Sequence, residues 1–433
     1  MFDLFTTIEQ CTDFIFKLKA VDHKRAPLVM MREVLARLNN PQNQLKTIHI
    51  AGSNGKGSTV NALREMLVES GYKVGAFTSP HLERVNERMT INGEPISDAQ
   101  FLHYMNIVVQ IIDTHYNGEY PSFFEVVTLI MFQYFADAQV DFALIETGLG
   151  GRLDATNVIT PLVSIITTIS LEHTAFLGDT FTKIAFEKAG IIKEGVPVIV
   201  GVKNEEALAV IREVAKARQT KCYILNEDFT VKALQQYESM QLFNYVKEDQ
   251  EMHEIVLKMA GPHQVENASL AITAILLLQE CGYVTIADWT IRKALQTAQW
   301  AGRFEQVSHD IILDGAHNPE GTAALIQTLK DVYPNRNYHF IYAALSDKDH
   351  ATSIKLMDQV ATSMAFTQIP LPNAMPAEQL AVLSQHPKKG YSSEWQGVID
   401  AEIREKEADD ILVITGSLYF IAEARKLLQG VVV

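Results

Sequence analysis

Short apolar runs alternate with longer stretches of helical period along most of the chain. Ile48, Ile50 and Ala51 carry the first buried-strand pattern, just ahead of a glycine-rich turn. A helical pattern begins at about Ser58, runs through Leu63, Met66 and Leu67 to about Ser70, and takes Gly71 as its C-cap. Residues 73–77 read as a second strand, ending in Thr78-Ser79-Pro80-His81. In 89–96, Asn92-Gly93 sits between extended residues, a hairpin signal. Helical patterns cover 98–115 and 122–138. A nearly continuous apolar strand at 141–145 closes on Glu146, and 162–167 repeats the pattern and leads to Glu172-His173. A helix at 180–189 ending at Gly190, a strand at 197–200 and a helix at 204–218 follow.

Strands alternating with helices in this way predict an α/β fold, with a doubly wound parallel sheet. Residues 7–40 read as one or two amphipathic helices, broken near Pro27, that pack on this domain. The stretch 221–260 alternates irregularly and is rich in charge, and is expected to form an antiparallel hairpin excursion; helices at 263–280 and 287–298 close the domain. The α/β alternation restarts beyond Trp300-Ala301-Gly302-Arg303, with strands at 310–313, 338–343, 363–367 and 410–414 between helices. The expected division is therefore a first domain over 1–298, a hinge at 299–303 and a smaller, Rossmann-like α/β domain over 304–433.

Composition narrows the function classes. With 433 residues, two cores are the default, and a hydrophobic share of 47% suits a well-packed soluble protein. A formal charge of −15 argues against nucleic acid or an anionic membrane as the main partner, so an anionic substrate needs a local basic site. Cys11, Cys222 and Cys281 are scattered and odd in number, which fits a reducing cytoplasm rather than a disulfide framework. No apolar run approaches the roughly 18 residues that span a bilayer, and the first residues, with Asp3 and Glu9 among them, do not read as a signal peptide.

The strand–turn–helix at His49–Thr59 carries the clearest chemistry. Backbone N–H groups of such a turn converge with a helix N-terminus on one point that suits a phosphate. Asn54, Gly55, Lys56, Gly57, Ser58 and Thr59 supply glycines for close approach, a cation for terminal phosphates and two hydroxyls. Nucleotide loops work with a divalent cation, which wants oxygen ligands, and Glu146 stands at a strand end where such a carboxylate is placed. The following residues, Thr147 to Asn157, are dense in glycine and polar groups, as expected of ligand loops at the carboxyl ends of parallel strands.

The loop departs from the common G-x-x-x-x-G-K-[ST] spacing: Gly52 lies four residues before Lys56, and Gly57 separates the lysine from Ser58. This shorter form resembles the ATP-binding loop of the Mur ligase and folylpolyglutamate synthase superfamily. Glu146 through Asn157 resembles the E-x-G-x-G-G-x-x-D-x-T-N signature of the folylpolyglutamate synthase/dihydrofolate synthase family, and Thr78 through Leu82 is similar to its T-S-P-H motif. Leu171-Glu172-His173, Phe186 through Ile191, His263-Gln264 with Asn267, Ala301 through Glu305, and Asp314 through Pro319 complete the set in order over about two thirds of the chain.

The resemblance implies ATP and magnesium as cofactors, with two magnesium sites. Asn54, Gly55, Lys56, Gly57, Ser58 and Thr59 would hold the phosphates, and Ser79, Glu146 and His173 the metal. Lys188 would be carbamylated. Asn267, Arg303 and Asp314 would touch the nucleotide, with His317 nearby in an interdomain cleft. Ser122, Phe123, Phe124 and Glu125, with Leu153 and Asp154 opposite, would line the pterin side. The implied activity is ATP-dependent addition of L-glutamate to a folate through an acyl phosphate; the cysteine pattern points to the cytoplasm, and a monomer needs no extra assumption. The sequence does not choose between dihydropteroate, tetrahydrofolate or both as acceptor. The alternative is a Mur-type amide ligase acting on another carboxylate; the residues before His49 are too few for the extra domain that binds a UDP-sugar. A GTPase is disfavoured, since N-K-x-D and D-x-x-G are both absent.

Overall fold

The computed structural model describes residues 4–18, 28–237, 240–346 and 349–431. The chain divides into two compact units. The first comprises Met1–Val231, Tyr245–Glu251 and Glu266–Leu295; the second comprises Lys232–Asn244, Met252–Val265 and Gln296–Val433.

The first unit is organised on β1 (Thr47–Ala51), β2 (Val74–Phe77), β3 (Met89–Ile91), β4 (Glu94–Pro95), β5 (Phe142–Glu146), β6 (Val163–Ile166), β7 (Val198–Val200) and β8 (Cys222–Ile224). They form one sheet in the order β4-β3-β2-β5-β1-β6-β7-β8. Its pairs are parallel from β2 to β8, and the Asn92-Gly93 hairpin adds β3 and β4 as an antiparallel edge. β1 and β5 are buried at every position, which explains their nearly unbroken apolar runs. The crossovers set β5 and β6 on either side of β1, with Ile50 opposite Glu146 and Ala51 opposite Ile166. The loops that follow β1, β2, β5 and β6 therefore leave neighbouring strands at one edge, the position where such sheets hold ligands.

Apolar faces fix the covering helices. Phe77, Ala143 and Ile145 pack with Val126 and Ile130 of the helix Phe123–Asp137 in one core cluster. Ala51, Ile166 and Val198 pack with Ile184 and Ile211 from the helices Phe181–Ala189 and Glu205–Ala217 in another. Ser97 and Ser122 begin their helices with reciprocal capping boxes, and Thr180 and Asn204 cap theirs with a side-chain oxygen. Helices at Ile8–Ile15 and Val29–Arg37 bear out the N-terminal pattern; Pro27, the expected break, lies outside the described residues. No helix among the described residues is long and apolar enough to cross a membrane.

The irregular stretch after β8 forms a three-stranded sheet of β9 (Phe229–Gln236), β10 (Gln241–Lys247) and β11 (Gln250–Leu257). In the second unit β12 (Glu305–Ser308), β13 (Ile311–Asp314), β14 (Tyr338–Tyr342), β15 (Ser363–Phe366), β16 (Lys389–Tyr391) and β17 (Ile411–Thr415) pair in the order β12-β13-β17-β14-β15-β16. Only β12 runs antiparallel. β12 and β16 correct the sequence reading, which has strands at neither place. Both are edges: β16 is exposed at all of its positions and β12 is polar and half-buried, so neither carries the apolar run that marks an inner strand.

Candidate active site

β1 delivers the chain at Ala51 into a loop that only glycine can thread. At Gly52 φ is +153° and a Cβ would lie 1.9 Å from Thr167 Oγ1; at Gly55 φ is +88° and a Cβ would lie 2.3 Å from Asn267 Oδ1. β6 and the residues after it hold the loop in place. Thr167 Oγ1 donates to Asn54 O at 2.6 Å, Asn54 N donates to Thr168 Oγ1 at 3.0 Å, and Ser53 N donates to Thr168 O at 2.8 Å. The helix Lys56–Glu69 then starts with no side-chain cap. Its first N–H groups lack intrahelical partners and face a site that a phosphate would satisfy. Thr59 Oγ1, on the first turn, is buried without a partner among the described residues.

Charged side chains collect beside this loop. Lys56 Nζ donates to Gly52 O at 2.9 Å and Ser53 O at 3.2 Å, and stands 3.8 Å from Glu146 Oε1. Ser79 N, from the loop after β2, donates to Glu146 Oε2 at 3.4 Å. Lys188 is only 2% exposed, where an ordinary helix lysine would be solvated, and its Nζ lies 3.2 Å from Glu172 Oε1. Burial pushes the Lys188 ammonium down to about 8, and Lys56 pushes the same way against the pull of Glu172. Burial works to raise Glu172, but Lys188, then Lys56, His173 and Ser53, outweigh it and hold the carboxyl down at about 2. His173 adopts φ +47° and ψ +38°, a conformation uncommon outside glycine and asparagine, at the start of the turn Thr174–Leu177.

These residues fit a nucleotide with its cation. Among the described residues no three His, Cys, Asp or Glu side chains gather into a ready-made metal cluster. Magnesium characteristically takes one or two carboxylates, phosphate oxygens and water, and Glu146 with the Ser79 hydroxyl beside an uncapped phosphate loop offers that partial set.

In the second unit, Asp314 at the end of β13 accepts from Phe304 N and Ala316 N, both at 2.8 Å. Burial raises its carboxyl, against the pull of Arg303. Arg303 passes close to Gly315, where a Cβ would lie 2.6 Å from its Nη1. His317 Nδ1 is 2.8 Å from Gly315 O, and Asn318 caps the helix Pro319–Val332. Asp314 and His317 thus share one strand-to-helix connection, and Arg303, just ahead of β12, reaches to Gly315 in it.

Comparison with known proteins decides the lineage. The Mur ligase middle domain matches residues 50–275, and the Mur ligase glutamate ligase domain matches 302–418. The dihydrofolate synthase/folylpolyglutamate synthase of Bacillus subtilis is 38% identical over 404 residues, covering 92% of this chain and 94% of that one. The chain belongs to the folylpolyglutamate synthase/dihydrofolate synthase family of Mur ligases. Folylpolyglutamate synthase from Thermotoga maritima superposes with a TM-score of 0.85 at 33% identity, over 98% of this chain and 96% of that one. The Mycobacterium tuberculosis folylpolyglutamate synthase complexed with ADP and AMPPCP gives 0.88 at 28% identity, over 97% and 98%.

In this family member the glycine loop after β5 is wedged between neighbours. A Cβ at Gly148 would lie 2.5 Å from the Phe124 ring, and one at Gly151 2.8 Å from Lys188 O. Phe124 therefore seats the loop that carries Leu153 and Asp154. Asp154 is turned inward: its oxygens accept from Leu149 N at 2.8 Å, Thr156 N at 3.0 Å and Thr156 Oγ1 at 2.5 Å. Thr156 Oγ1 also meets His49 Nε2 at 2.9 Å, and burial pushes that imidazole down to about 3, so it is neutral. Leu153 is exposed. Ser122 and Glu125 are joined in their capping box, Ser122 Oγ donating to Glu125 Oε2 at 2.7 Å. Sequence reasoning missed Glu172 as the partner of Lys188 and Thr167 and Thr168 as the supports of the phosphate loop. The available signal for Glu172 was its place beside His173, just past a buried strand.

Proposed function

We propose that this chain is an ATP-dependent ligase that adds L-glutamate to the γ-carboxyl of tetrahydrofolate, to dihydropteroate, or to both. The observation that carries the reading is the uncapped start of the helix at Lys56, with that lysine 3.8 Å from Glu146. A carboxylate forms no amide at neutral pH without activation. Transfer of the γ-phosphoryl group from ATP to the acceptor carboxylate gives an acyl phosphate and ADP. The glutamate amine then attacks the carbonyl, and phosphate leaves with the C–O bond pair.

The loop residues Asn54 to Thr59 bind the phosphates, and Lys56 neutralises the charge that develops on them. Ser79, Glu146 and His173 would hold magnesium, which on binding neutralises phosphate charge. The family resemblance assigns Asn267, Arg303 and Asp314 to the nucleotide and His317 to the chemical step. Ser122, Phe123, Phe124, Glu125, Leu153 and Asp154 form the acceptor side. The working division is an ATP-binding domain over 1–298, a hinge at 299–303 and a glutamate ligase domain over 304–433, in a cytoplasmic monomer.

Lys188 is read as a carbamylation site. Its amine and CO2 would give a carbamate and a proton, and the lowered value near 8 raises the share of neutral amine that can react. The product would set two carboxylates side by side, with Glu172, an arrangement that suits a second magnesium.

The test is ADP release with Mg-ATP and L-glutamate, comparing dihydropteroate, tetrahydrofolate and no acceptor. Turnover with tetrahydrofolate alone marks a chain-extending synthase, and turnover with both marks a bifunctional enzyme. If neither raises release above a folded Lys56→Ala control, the folate reading fails and another carboxylate is the acceptor.

A further inference from the structure

Phe16 follows the helix Ile8–Ile15 as its C-cap and leaves 58% of its surface exposed. Its ring stacks on Phe123, with centroids 5.3 Å apart and planes 18° from parallel. Phe123 stands on the first turn of its helix, fixed by the Ser122–Glu125 capping box. The Arg88 guanidinium lies over the same ring, 5.0 Å from its centroid. Two rings and a cation therefore make a stack whose outer member is open to solvent. A lone exposed aromatic is ordinary on a protein surface, but this one is the outer ring of an ordered stack with a side-chain donor beside it, the pair of features a planar ligand needs.

A donor stands at the side of this stack. The His81 ring is 6.2 Å from that of Phe16 and inclined by 51°. Arg88 Nε donates to His81 Nδ1 at 2.8 Å. Since arginine has no acceptor to offer, Nδ1 is the accepting nitrogen and Nε2 carries the ring proton. A flat face with an N–H beside it recognises a planar heteroaromatic ring bearing acceptors on its edge. His81 follows Ser79 and Pro80 directly, so the platform is continuous with the loop that reaches Glu146.

We propose that Phe16 is the stacking platform for the bicyclic pterin ring of the acceptor, which lies on its open face and extends the Phe123–Phe16 stack. This rests on the folate reading of the same site and adds a specificity residue that none of its sequence motifs contains. Phe16 touches the acceptor far from the reacting carboxylate, so its contribution is to binding, not to the chemical step.

The experiment is initial-rate ADP release by full-length wild-type, Phe16→Ala and Phe16→Trp proteins, with acceptor and ATP varied separately. Phe16→Ala is expected to raise the acceptor KM about tenfold, a typical effect of losing one ring stack, with kcat and the KM for ATP unchanged. Phe16→Trp restores the acceptor KM, and its added tryptophan emission is quenched by dihydropteroate in the absence of ATP. An unchanged acceptor KM in an otherwise active Phe16→Ala enzyme overturns the proposal. So does a rise in the KM for ATP instead, which would assign the ring to adenine. Wild-type protein without acceptor-dependent turnover would sink the folate reading first, and the platform's ligand with it.

Discussion

Lys188→Met removes the ammonium 3.2 Å from Glu172 while keeping most of the lysine's aliphatic volume, so its cost is electrostatic. Glu172 is 8% exposed, and the fall of its carboxyl from 4.5 to about 2 corresponds to about 3 kcal/mol of stability. Breaking a buried pair from one side costs roughly 3–5 kcal/mol. Lys56 remains near Glu172, which favours the lower end. At about 2–4 °C per kcal/mol for a unit of this size, the variant should unfold some 6–12 °C below wild type at pH 7. The pH dependence has a definite sign. A depressed carboxyl contributes stability above its unfolded value of 4.5, which is lost as pH falls toward about 2. Lys188's own lowered value acts only from about 8 upward, so the acid limb reports on Glu172. The gap between the two proteins should therefore shrink by half or more as pH falls to about 3. Calorimetric unfolding in bicarbonate-free buffer without divalent cations measures it, and adding Glu172→Gln to the variant should recover most of the loss. A gap under about 2 °C at pH 7, or one of the same size at both pH values, would refute the pairing argument.

Gly55→Ala forces alanine to φ +88° and a Cβ to within 2.3 Å of Asn267 Oδ1, so the KM for ATP should rise at least tenfold while the acceptor KM holds, read by ADP-release kinetics. Glu146→Gln keeps the volume but removes the charge that faces Lys56; kcat should fall by roughly a hundredfold and the magnesium concentration for half-activation should rise. Ser122→Ala deletes one half of a capping box and should cost about 1 kcal/mol, seen as a drop of a few degrees in Tm with no change in the KM for ATP. Carbon-13 NMR with labelled bicarbonate should show one carbamate resonance that is absent from Lys188→Met and grows as pH rises toward 8.

The features legible in the sequence are those whose physics is local. β1 and β5 are buried throughout and read as apolar runs; the helices near 98–115, 122–138, 180–189 and 204–218 read from their period; Gly52 and Gly55 stand where the backbone needs glycine. The edge strands β12 and β16 were hidden because a strand covered on one side carries no apolar run. Glu172 was hidden for another reason. A glutamate before a histidine is ordinary, and its meaning comes only from Lys188, sixteen residues on, which the fold brings to 3.2 Å. Phe16 is likewise a single exposed aromatic in the sequence, and becomes informative only when stacked on Phe123.

The charges at the phosphate loop form one coupled set. Lys56 is held by two loop carbonyls and faces Glu146, and it is also among the cations that keep Glu172 ionised. On the proposed reading, nucleotide phosphates at the uncapped helix start would compete for the Lys56 ammonium, and carbonyl dipoles are weak rivals to a polyanion. If Lys56 turned to the phosphates, Glu146 would lose the cation 3.8 Å away, and Glu172 would lose one supporting charge while keeping Lys188 at 3.2 Å. The carboxylates then become better ligands for a divalent cation than they were before the nucleotide came. On the proposed reading, nucleotide and metal bound at these residues would each raise the other's affinity by the same factor.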